Sequence, residues 1–378
     1  MARASFAPNP VKIKVIGLGG GGCNAVTRMV REGIQGVEFI AMNTDAQSLA
    51  VTEAPIRVQL GDKLVRGLGV GGDHLQGQKA AEESRDEIKE LISGSDMVFI
   101  TGGMGGGTGT GAAPVVADIA QQTGALTIAV VTRPFTFEGN RRTEVANEGI
   151  ARLLDKVVDT LIIIPNDRLL EICDQKTGVD EAFKLADDIL SHGVQAIAQV
   201  ITVPGMINLD FADVKAVMKD AGPAWMSVGM GTGQSRATDA AKEALASPLL
   251  DVSIAGSKGV LFNVVGGDSL ALFEVNEAAE VIKQVVDPEA NIIFGVVHDS
   301  EMDKEVKITL IATGFTSGTE MPGANRDDEI TEFLKEWKSE DQLDIPAFLR
   351  RPLFNQRRLA STPTVKTNKT PLQHPLLR

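Results

Sequence analysis

Short apolar runs alternate with longer segments of helical periodicity along the first half of the chain. The apolar runs are VKIKVIGLG (11–19), VEFIAMN (37–43), DMVFITG (96–102), LTIAVVT (126–132) and TLIIIP (160–165). Runs that are apolar throughout are typical of parallel strands buried on both faces. Polar helical segments such as HLQGQKAAEESRDEIKELI (74–92) lie between them. This alternation predicts an α/β fold with a parallel sheet covered on both faces.

A long helix is predicted at 179–203, because Phe183, Ala186, Ile189 and Leu190 recur at helical spacing. At 1.5 Å per residue such a helix is about 38 Å long. The Pro-Gly pair that follows it is a helix-ending signal. Later strands and helices, closing with two strands joined by the short loop SEMDKE, predict a smaller mixed α/β domain.

The predicted organisation has six parts. A parallel-sheet domain at 11–178 is joined by the central helix at 179–203 to a C-terminal α/β domain at 204–318. The remaining parts are a flexible N-terminus at 1–10, a charged linker at 319–342 and a basic tail at 343–378. The tail is rich in Pro, Thr, Lys and Arg and has no periodicity, which is typical of a segment that is disordered when free.

Composition indicates a soluble protein of the cytoplasm. The chain is 43% hydrophobic and 23% charged, as in ordinary globular proteins. No apolar stretch approaches the roughly 20 residues that span a bilayer, and the N-terminus lacks the apolar core of a signal peptide. The two cysteines, Cys23 and Cys173, offer no disulfide framework, which fits a reducing compartment.

The formal net charge of −13 is unevenly distributed. Residues 345–378 contain seven of the 37 basic residues and no acidic one, so 50 acidic and 30 basic residues give the preceding chain a net charge of −20. An acidic body argues against a nucleic-acid-binding core. A basic tail favours an anionic partner.

Three glycine-rich segments carry the candidate chemistry. GLGGGGCNAV (17–26) and GGMGGGTGTG (102–111) each connect a strand to a helix, and RGLGVGG (66–72) lies between them. Without a Cβ, backbone N–H groups can approach a phosphate closely, and a helix N-terminus adds partial positive charge. Tight turns and close packing are the alternative, but two segments that lead into helices favour a phosphate site.

Neither common nucleotide motif is complete. Residues 17–22 match the G-x-G-x-x-G fingerprint, but the second strand ends in Asn43 and not in the acid that binds a ribose. Residues 102–107 have P-loop spacing, but Thr108 stands in place of the lysine. The residues therefore predict a phosphate site made of backbone amides and the hydroxyls of Thr108 and Thr110. A nicotinamide-dependent oxidoreductase remains the alternative.

Longer motifs resemble the tubulin/FtsZ family. GGGTGTG (105–111) is similar to its signature, and five further motifs resemble FtsZ, the cell-division GTPases: NTDAQSL (43–49), TRPFTFEG (132–139), IPNDRLL (164–170), NLDFADV (208–214) and LDIPAFLRR (343–351). The resemblance implies a tubulin-like fold and the binding of GTP or GDP with Mg²⁺, K⁺ being a further candidate ion. It also implies filaments that form a division ring and hydrolyse GTP to GDP and phosphate. A tubulin-like GTPase of cell-shape control is the alternative.

The same resemblance implies the GTP-binding residues. The phosphates would contact Gly20, Gly21, Gly22, Cys23, Asn24, Gly107, Thr108 and Gly109, with Gly71 and Gly72 on the γ-phosphate side. Glu138 and Arg142 would lie near the ribose and phosphates, and Asn166 and Asp187 would bind guanine. On its residue type alone, Cys23 is a small filler and not a reactive thiol. The four histidines show no metal-ligand spacing, so no side chain is assigned to a metal.

Physical chemistry supports the assignment to guanine. An Asp carboxylate can accept hydrogen bonds from both N1–H and N2–H₂ of guanine, whereas adenine offers no such donor pair. Phe183 lies one helical turn before Asp187, on the same face, where its ring can stack on the base. Without the resemblance, Asp187 reads as a solvated helix carboxylate and Phe183 as a core residue.

Asp210 and Asp213 form a carboxylate pair at the start of a predicted helix. Their spacing predicts a capping box. The resemblance implies that they act with Asn208 to orient a water, or a cation-bound water, that attacks the γ-phosphate on a neighbouring subunit. A head-to-tail contact of this kind does not close and gives filaments. The two roles are compatible.

The tail suggests partners. Asp344–Arg351 resembles the family's docking peptide for membrane tethers and division regulators, with Ile345, Phe348 and Leu349 as anchors. Basic residues near an anionic membrane contribute about 1 kcal/mol each, so direct contact of 350–378 with lipid is a second hypothesis. A solvated tail, or one that assists lateral filament contacts, is the alternative. The expected location is the cytoplasm, at the division site on the inner face of the membrane.

Overall fold

The computed structural model describes residues 11–155, 157–173, 176–202, 209–249, 254, 256–300 and 302–315. The strands are β1 (Ile13–Leu18), β2 (Val37–Asn43), β3 (Ile56–Gln59), β4 (Met97–Gly103), β5 (Leu126–Arg133), β6 (Thr160–Pro165), β7 (Gly222–Thr232), β8 (Gly259–Gly266), β9 (Asn291–His298) and β10 (Glu305–Thr313). The predicted N-terminus, linker and tail, together with Asn208, lie outside the described residues.

Helices separate most of these strands. They are α1 (Gly19–Arg31), α2 (Ala46–Ala50), α3 (Asp62–Val65), α4 (His74–Glu83), α5 (Arg85–Ile92), α6 (Thr108–Gln122), α7 (Asn140–Leu154), α8 (Leu169–Ile172), α9 (Val179–Thr202), α10 (Phe211–Met218), α11 (Arg236–Ala246) and α12 (Leu272–Lys283). Short 3₁₀ helices occupy Thr136–Glu138 and Asn166–Arg168.

The strands form one continuous sheet in the order β3-β2-β1-β4-β5-β6-β7-β10-β8-β9. From β3 to β7 every neighbouring pair is parallel. Strand β10 runs antiparallel to both β7 and β8, and β8 is parallel to β9. The α/β class predicted from the alternating pattern is therefore confirmed, with a parallel part followed by a mixed part.

Both faces of the parallel part are buried, which explains why its strands are apolar throughout. Val15 and Phe99 belong to the core beneath α1 and α9. Ile16 and Ile100, one residue further along each strand, belong to the core beneath α4, α5, α6 and α7. The period of two residues along a strand sends neighbouring side chains to opposite faces, so apolar side chains are needed at successive positions.

Helix α9 contacts both parts of the sheet. A Cβ at Gly193 would lie 3.2 Å from Val130 Cγ1 on β5 and 3.0 Å from Met226 Sδ on β7. A Cβ at Gly295 on β9 would lie 3.1 Å from Cγ2 of Val200 on α9. The long helix predicted from periodicity thus lies against strands on either side of the β6–β7 junction, where only three residue pairs join the strands.

Two local features are specific to this fold. The short loop between β9 and β10 does not join neighbouring strands, because β10 inserts between β7 and β8. Pro114 lies in the second turn of α6, because the helix begins at Thr108. Its missing N–H removes one bond to the preceding turn, in a segment where α6 is packed on three sides by α4, α7 and the sheet.

Candidate functional site

The two strand-glycine-helix segments meet at one edge of the sheet. Strand β1 pairs in parallel with β4, with Leu18 opposite Gly102, and α1 and α6 follow these strands. The carboxyl ends of parallel strands lie at the same sheet edge, where ligands of α/β proteins bind. The partial positive charges of both helix N-termini are therefore brought to one place.

Glycine is required where these segments cross. A Cβ at Gly22 would lie 2.4 Å from the carbonyl oxygen of Thr101, and one at Gly17 would lie 2.3 Å from that of Gly22. Gly19 has a φ of +67°, and its Cβ would lie 2.9 Å from the backbone nitrogen of Gly109. Because the obstructing atoms belong to the backbone, a larger side chain would push the segments apart.

The third glycine-rich segment, 66–72, packs against the segment at 102–111. A Cβ at Gly107 would lie 3.0 Å from the backbone nitrogen of Gly72. At Gly20, Gly71 and Gly72, by contrast, an added Cβ would have no heavy atom within 4 Å. The three segments therefore form one cradle, which we call the glycine cradle, with packed glycines inside and open space beside these three. This is the shape that an amide-lined phosphate site needs.

The two threonines predicted to supply hydroxyls behave differently. Thr108 is half-buried, and its Oγ1 lies 2.6 Å from Oγ1 of Thr44. Thr110 is 1% exposed, and its Oγ1 accepts a hydrogen bond from the N–H of Gly105 at 2.8 Å. The prediction that the Thr110 hydroxyl lines the phosphate site is therefore wrong, because this hydroxyl is buried and bonded within its own loop. Thr44 was missed, although it lies in the motif NTDAQSL.

The thiol of Cys23 is unreactive because it is buried. Its side chain is 1% exposed, and burial raises the pKa of its thiol to about 11. Only the backbone N–H of Cys23 can therefore serve a phosphate, and the interpretation of its side chain as a small filler is supported. The next residue, Asn24, is exposed.

Glu138 and Arg142 form an ion pair beside the cradle. Glu138 Oε1 also accepts a hydrogen bond from the N–H of Phe135 at 2.9 Å, so this carboxylate fixes the turn that precedes α7. Arg142 is largely exposed, and its carbonyl oxygen would lie 2.8 Å from a Cβ at Gly105. The guanidinium can therefore turn toward an anion, whereas Glu138 is already bonded.

An aromatic cluster lies at the start of α9. Phe183 is 39% exposed and meets Phe135 edge-on, with ring centroids 5.4 Å apart. Phe135 in turn stacks on Phe137 at 4.8 Å, and Phe137 is 61% exposed. Phe183 is therefore not a core residue. Two exposed rings on a buried third one make a surface on which a flat base can stack.

Asn166 and Asp187 are polar groups without a partner among the described residues. Asn166 is 4% exposed, and its Oδ1 accepts no hydrogen bond there. Asp187, one turn after Phe183, is half-buried and has no hydrogen bond to another described residue. Buried polar atoms in native proteins are nearly always bonded. A ligand that offers N–H donors would satisfy both groups.

The surroundings of Asp187 make its carboxyl a weaker acid. Burial raises the pKa most, the negative charge of Asp188 raises it too and Arg28 opposes both, so that the pKa is about 7. Arg28, on α1, is ion-paired with Asp188 and with Glu32. Since the guanidinium is shared in this way, Asp187 is left as a carboxyl group that is about half protonated at neutral pH.

The carboxylate pair caps α10. Asp213 Oδ2 accepts the N–H of Asp210 at 3.4 Å, a long hydrogen bond of the capping-box type. Both side chains are exposed. A helix cap therefore accounts for their spacing, and it leaves most of both carboxylates available to solvent.

The structure does not bring this pair to the glycine cradle. The Thr160 hydroxyl donates to the carbonyl oxygen of Met218, so α10 ends beside the first residue of β6, at the amino edge of the parallel strands. The cradle lies at the carboxyl edge. Asp187 also precedes the end of α9 at Thr202 by about 22 Å of helix. Because Thr202 of α9 also bonds to Gln35, just before β2, both α9 and α10 end at the edge opposite the cradle.

Among the described residues, no group of three or more His, Cys, Asp or Glu side chains is placed to hold a metal ion. Likewise, none of the described helices is long and apolar enough to cross a membrane.

Comparison with known proteins assigns both parts of the chain. Residues 12–174 match the GTPase domain of the Tubulin/FtsZ family, and residues 222–316 match the C-terminal domain of the FtsZ family. Among solved structures, an empty FtsZ dimer from M. jannaschii is 46% identical, with a TM-score of 0.80, over 84% of this chain and 92% of that one.

More distant structures share the fold alone. The GDP-bound monomer of CetZ1 from Haloferax volcanii is 21% identical, with a TM-score of 0.70, over 87% of this chain and 100% of that one. The GTPγS-bound protofilament of CetZ2 from the same organism is 18% identical, with a TM-score of 0.69, over 86% of this chain and 98% of that one.

Proposed function

Because the chain belongs to the FtsZ family, within the wider tubulin/FtsZ family of GTPases, we propose that it assembles head to tail into filaments and hydrolyses GTP between successive copies. One observation carries the proposal: α9 leads from the base site to the sheet edge opposite the glycine cradle, and α10, which the carboxylate pair caps, ends at that edge. A copy whose own carboxylates are remote from its own phosphates needs those of a neighbour. The contact joins different surfaces of two copies, so it repeats without closing and yields a filament.

In this proposal the glycine cradle holds the phosphates. Backbone N–H groups of Gly20, Gly21, Gly22, Cys23 and Asn24 and of Gly107, Thr108 and Gly109 bind them, with Gly71 and Gly72 over the γ-phosphate. Arg142 turns from Glu138 toward the phosphates, and Glu138 meets the ribose. Asn166 and Asp187 bind guanine while the base stacks on Phe183. The free Asn166 Oδ1 and the raised pKa of Asp187 support this assignment.

Mg²⁺ is proposed to enter with the nucleotide. Mg²⁺ keeps several waters and is commonly bound through substrate phosphates. Bound there, the ion neutralises part of the phosphate charge. Asn208, Asp210 and Asp213 of the neighbouring copy orient the attacking water, with K⁺ as a candidate to assist them.

The nicotinamide alternative is wrong for this chain, since its family is one of GTPases. The residues agree with that exclusion. Glu38 lies near the amino end of β2 and pairs with Lys14 at 2.8 Å, so it cannot reach a ribose at the carboxyl end. Asn43, which does end β2, accepts from the N–H of Asp45 through its Oδ1 at 3.3 Å.

The cellular role follows from the same family. We infer that the filaments form the division ring, in the cytoplasm at the inner face of the membrane. The M. jannaschii FtsZ dimer and the Haloferax volcanii CetZ2 protofilament support self-association. Asp344–Arg351 is proposed to bind a membrane tether or division regulators, and 350–378 an anionic membrane surface. A role in cell-shape control, the alternative, has no observation on this chain in its favour.

The proposal is tested by separating GTP binding from GTP turnover. Asp213→Asn keeps an oxygen that accepts the N–H of Asp210, so α10 stays capped, but it removes the charge that orients water. We expect GTP affinity within about twofold of wild type and turnover reduced by at least about 100-fold, the usual scale of a lost general base. Asp239→Asn, at an exposed first-turn carboxylate of α11, is the matched control and should turn over GTP normally.

Mixing two inactive variants tests the contact itself. Gly20→Ala is expected to leave its own site empty at GTP concentrations below its weakened affinity but to retain its carboxylate pair, whereas Asp213→Asn should bind GTP but lack the carboxylate that orients water. An equimolar mixture should hydrolyse GTP faster than either variant alone, and wild-type specific activity should rise with protein concentration. Full turnover by Asp213→Asn, or activity per molecule that is independent of concentration, would refute a site completed between copies.

A further inference from the structure

Helix α1, whose N-terminus enters the glycine cradle, is joined to α9 by two polar contacts about one turn apart. Arg28 of α1 is ion-paired with Asp188 of α9. One turn later, the hydroxyl of Ser191 on α9 donates to Oε2 of Glu32, the C-cap of α1, at 2.6 Å. The two contacts rise together along both helices, so α1 and α9 run side by side in the same direction.

Arg28 connects these contacts into one network. Its Nε also lies 3.2 Å from Oε1 of Glu32, which accepts from Ser191 through its other oxygen. The side chain of Asp188 is 23% exposed and that of Arg28 39%, so the ion pair is partly shielded from water. Isolated surface ion pairs contribute little, but charges that form a network hold side chains in a defined geometry. Arg28 therefore has a fixed place between the two helices.

The network connects the two halves of the proposed nucleotide site. Arg28 lies one turn after Asn24, the last of the proposed phosphate contacts on α1. Its partner Asp188 directly follows Asp187, which lies one turn after Phe183. A nucleotide whose phosphates lie at the start of α1 and whose base lies at Asp187 would bridge the same two helices that Arg28 joins.

The two charges next to Asp187 have opposite effects on its ionisation. Burial raises the pKa of Asp187 most, the negative charge of Asp188 raises it too, and the positive charge of Arg28 lowers it. The ion pair holds the guanidinium in place and offsets the charge of Asp188. Without Arg28, Asp187 would be a buried carboxyl beside an uncompensated anion, and its ionisation would be disfavoured.

The other charged groups near this end of α9 are exposed or paired. Lys184, on α9 itself, is exposed to solvent. Glu171 of α8, which packs against α9, lies 2.8 Å from Arg168. Glu32 of the network raises the pKa of Asp188, after burial of that carboxyl and against the effect of Arg28. It therefore acts on the partner of Arg28.

The strands that pack against α9 have their charged groups elsewhere. Arg133, at the end of β5, is hydrogen-bonded to a residue of α7. Lys307 of β10 acts on His192, further along α9, whose pKa is lowered to about 4 by burial first and by this lysine second. His298, at the end of β9, lies 3.4 Å from Asp268. Among the described residues, the charges that set the ionisation of Asp187 are therefore those of Arg28 and Asp188.

We propose that Arg28 is a positioning residue of the guanine site: its pair with Asp188 joins the phosphate-binding helix to the base-binding helix, and its charge keeps Asp187 an acceptor for the N–H groups of the base. The inference rests on the proposed function, which places guanine on Asp187. A protonated carboxyl carries an O–H donor on one of its oxygens, so it cannot accept from both N1–H and N2–H₂. Arg28 acts on the base through Asp187.

The pH dependence of GDP affinity separates this electrostatic role from a mechanical one. Affinity reaches half its maximum at the pKa of Asp187 in the free protein, which is about 7 in wild type. Arg28→Gln removes the cation and should move this midpoint to higher pH, whereas Asp188→Asn removes the anion and should move it to lower pH. If the ion pair only fastened the helices, both variants would lose affinity by a similar factor at every pH.

The expected shifts are large enough to measure. A neighbouring charge shifts the pKa of a carboxyl by about one unit or more, so each midpoint should move by about one pH unit. Expressed as a fraction of each protein's own maximum, the affinity of Arg28→Gln at pH 7 should be about fivefold below that of wild type. On the same scale, the affinity of Asp188→Asn at pH 6 should be about fivefold above it.

The experiment measures the Kd of GDP for the full-length chain from pH 5.5 to 8.5, by displacement of a fluorescent GDP at protein concentrations below assembly. Arg28→Lys keeps the charge and should keep the wild-type midpoint. The matched control is Arg31→Gln, three residues further along α1, because Arg31 pairs with Glu53 at 2.6 Å and not with α9. Comparison of variants removes the titration of the nucleotide itself, and thermal unfolding shows that each variant is folded.

Midpoints that move in opposite directions in Arg28→Gln and Asp188→Asn would support the role of Arg28. Midpoints that stay at the wild-type value, or that move in the same direction, would overturn this role and leave the guanine site intact, provided that wild-type affinity depends on pH. Wild-type GDP affinity that is equal at pH 6 and pH 8, or an absence of GDP binding, would instead overturn the proposed assignment of Asp187 to guanine.

Discussion

At the scale of single residues, the candidate base site is marked by groups that the chain leaves unsatisfied. Asn166 has a buried oxygen without a donor, and Asp187 is a half-buried carboxyl without a hydrogen bond among the described residues. An unmade buried hydrogen bond costs about 1–3 kcal/mol. Such a cost is recovered when a ligand supplies the missing N–H donors. Substitution of these two residues therefore tests whether the ligand carries guanine.

Guanine affinity should depend on the ionisation of Asp187. The carboxylate must be charged to accept from both N1–H and N2–H₂, and the pKa of this group is raised to about 7. We therefore expect the affinity for GTP and for GDP to increase as the pH rises from 6 to 8. In the nucleotide-free protein the same raised pKa has the opposite effect on stability, which falls as the pH rises from about 4 to about 7. Thermal unfolding at several pH values, with and without GDP, measures both.

The variant Asp187→Asn sharpens the test. Its amide N–H can donate to the oxygen at position 2 of xanthine, so preference should move from GTP toward xanthosine triphosphate, and the pH dependence should disappear. We expect the GTP affinity of this variant to fall at least about tenfold, which corresponds to 1.4 kcal/mol. Asp180→Asn, in the exposed first turn of α9, is the control. Wild-type GTP affinity in Asp187→Asn would contradict the assignment of this residue to guanine.

At the scale of elements, the glycines around the N-terminus of α1 have two different roles. Gly17, Gly19 and Gly22 are needed because backbone atoms of neighbouring segments occupy the space of their Cβ. Gly20 borders open space. Close packing and phosphate binding are therefore carried by different glycines within one loop, although the letters GLGGGG do not distinguish them.

Two alanine substitutions in α1 should separate these duties. Gly22→Ala places a Cβ 2.4 Å from a carbonyl oxygen and should destabilise the protein by about 3 kcal/mol, the upper end for overpacking. Gly20→Ala should leave stability unchanged or raise it by up to about 1 kcal/mol, because alanine favours the helix. Yet it should reduce GTP affinity on the order of tenfold or more, since the Cβ fills the phosphate side. Urea unfolding of nucleotide-free protein and nucleotide titration measure the two effects. Equal stability of both variants would contradict the packing role of Gly22.

At the scale of the whole molecule, the glycine cradle lies at one edge of the sheet, and α9 and the α10 helix that the carboxylate pair caps both end at the other. The proposed filament uses both edges of every copy. The sequence adds a charge asymmetry, with a net charge of −20 before residue 345 and seven basic residues after it. An acidic filament body would be repelled by an anionic membrane, so contact would have to pass through the tail.

The tail hypothesis is tested by cosedimentation with vesicles of mixed neutral and anionic lipid. Full-length chain should pellet with them more than a chain that ends at Arg351, and the difference should shrink as salt is raised, because surface charge interactions are screened within about 10 Å at 0.1 M. Truncation removes Arg357, Arg358, Lys366, Lys369 and Arg378 but keeps Asp344–Arg351. Neutral vesicles are the control. Equal pelleting of both chains would contradict contact of the tail with lipid and favour the alternative of a solvated tail.

Much of the fold and part of the site could be derived from sequence. The strands, the helices, the long α9, the glycine segments and the cap formed by Asp210 and Asp213 depend on residues only a few positions apart. Hydrophobic period, backbone freedom of glycine and capping chemistry act over that range. The resemblance of longer motifs to the family implied GTP as the ligand and assigned residues to the base. Hydrophobic period and glycine spacing do not contain this information.

Tertiary structure decided the rest. Only the folded chain inserts β10 between β7 and β8, turns the Thr110 hydroxyl inward, raises the pKa of Asp187, and pairs Arg28 with Asp188 across 160 positions. Each depends on which distant segments approach and how much water they exclude. Packing and desolvation are properties of neighbours in space, and sequence spacing does not specify them.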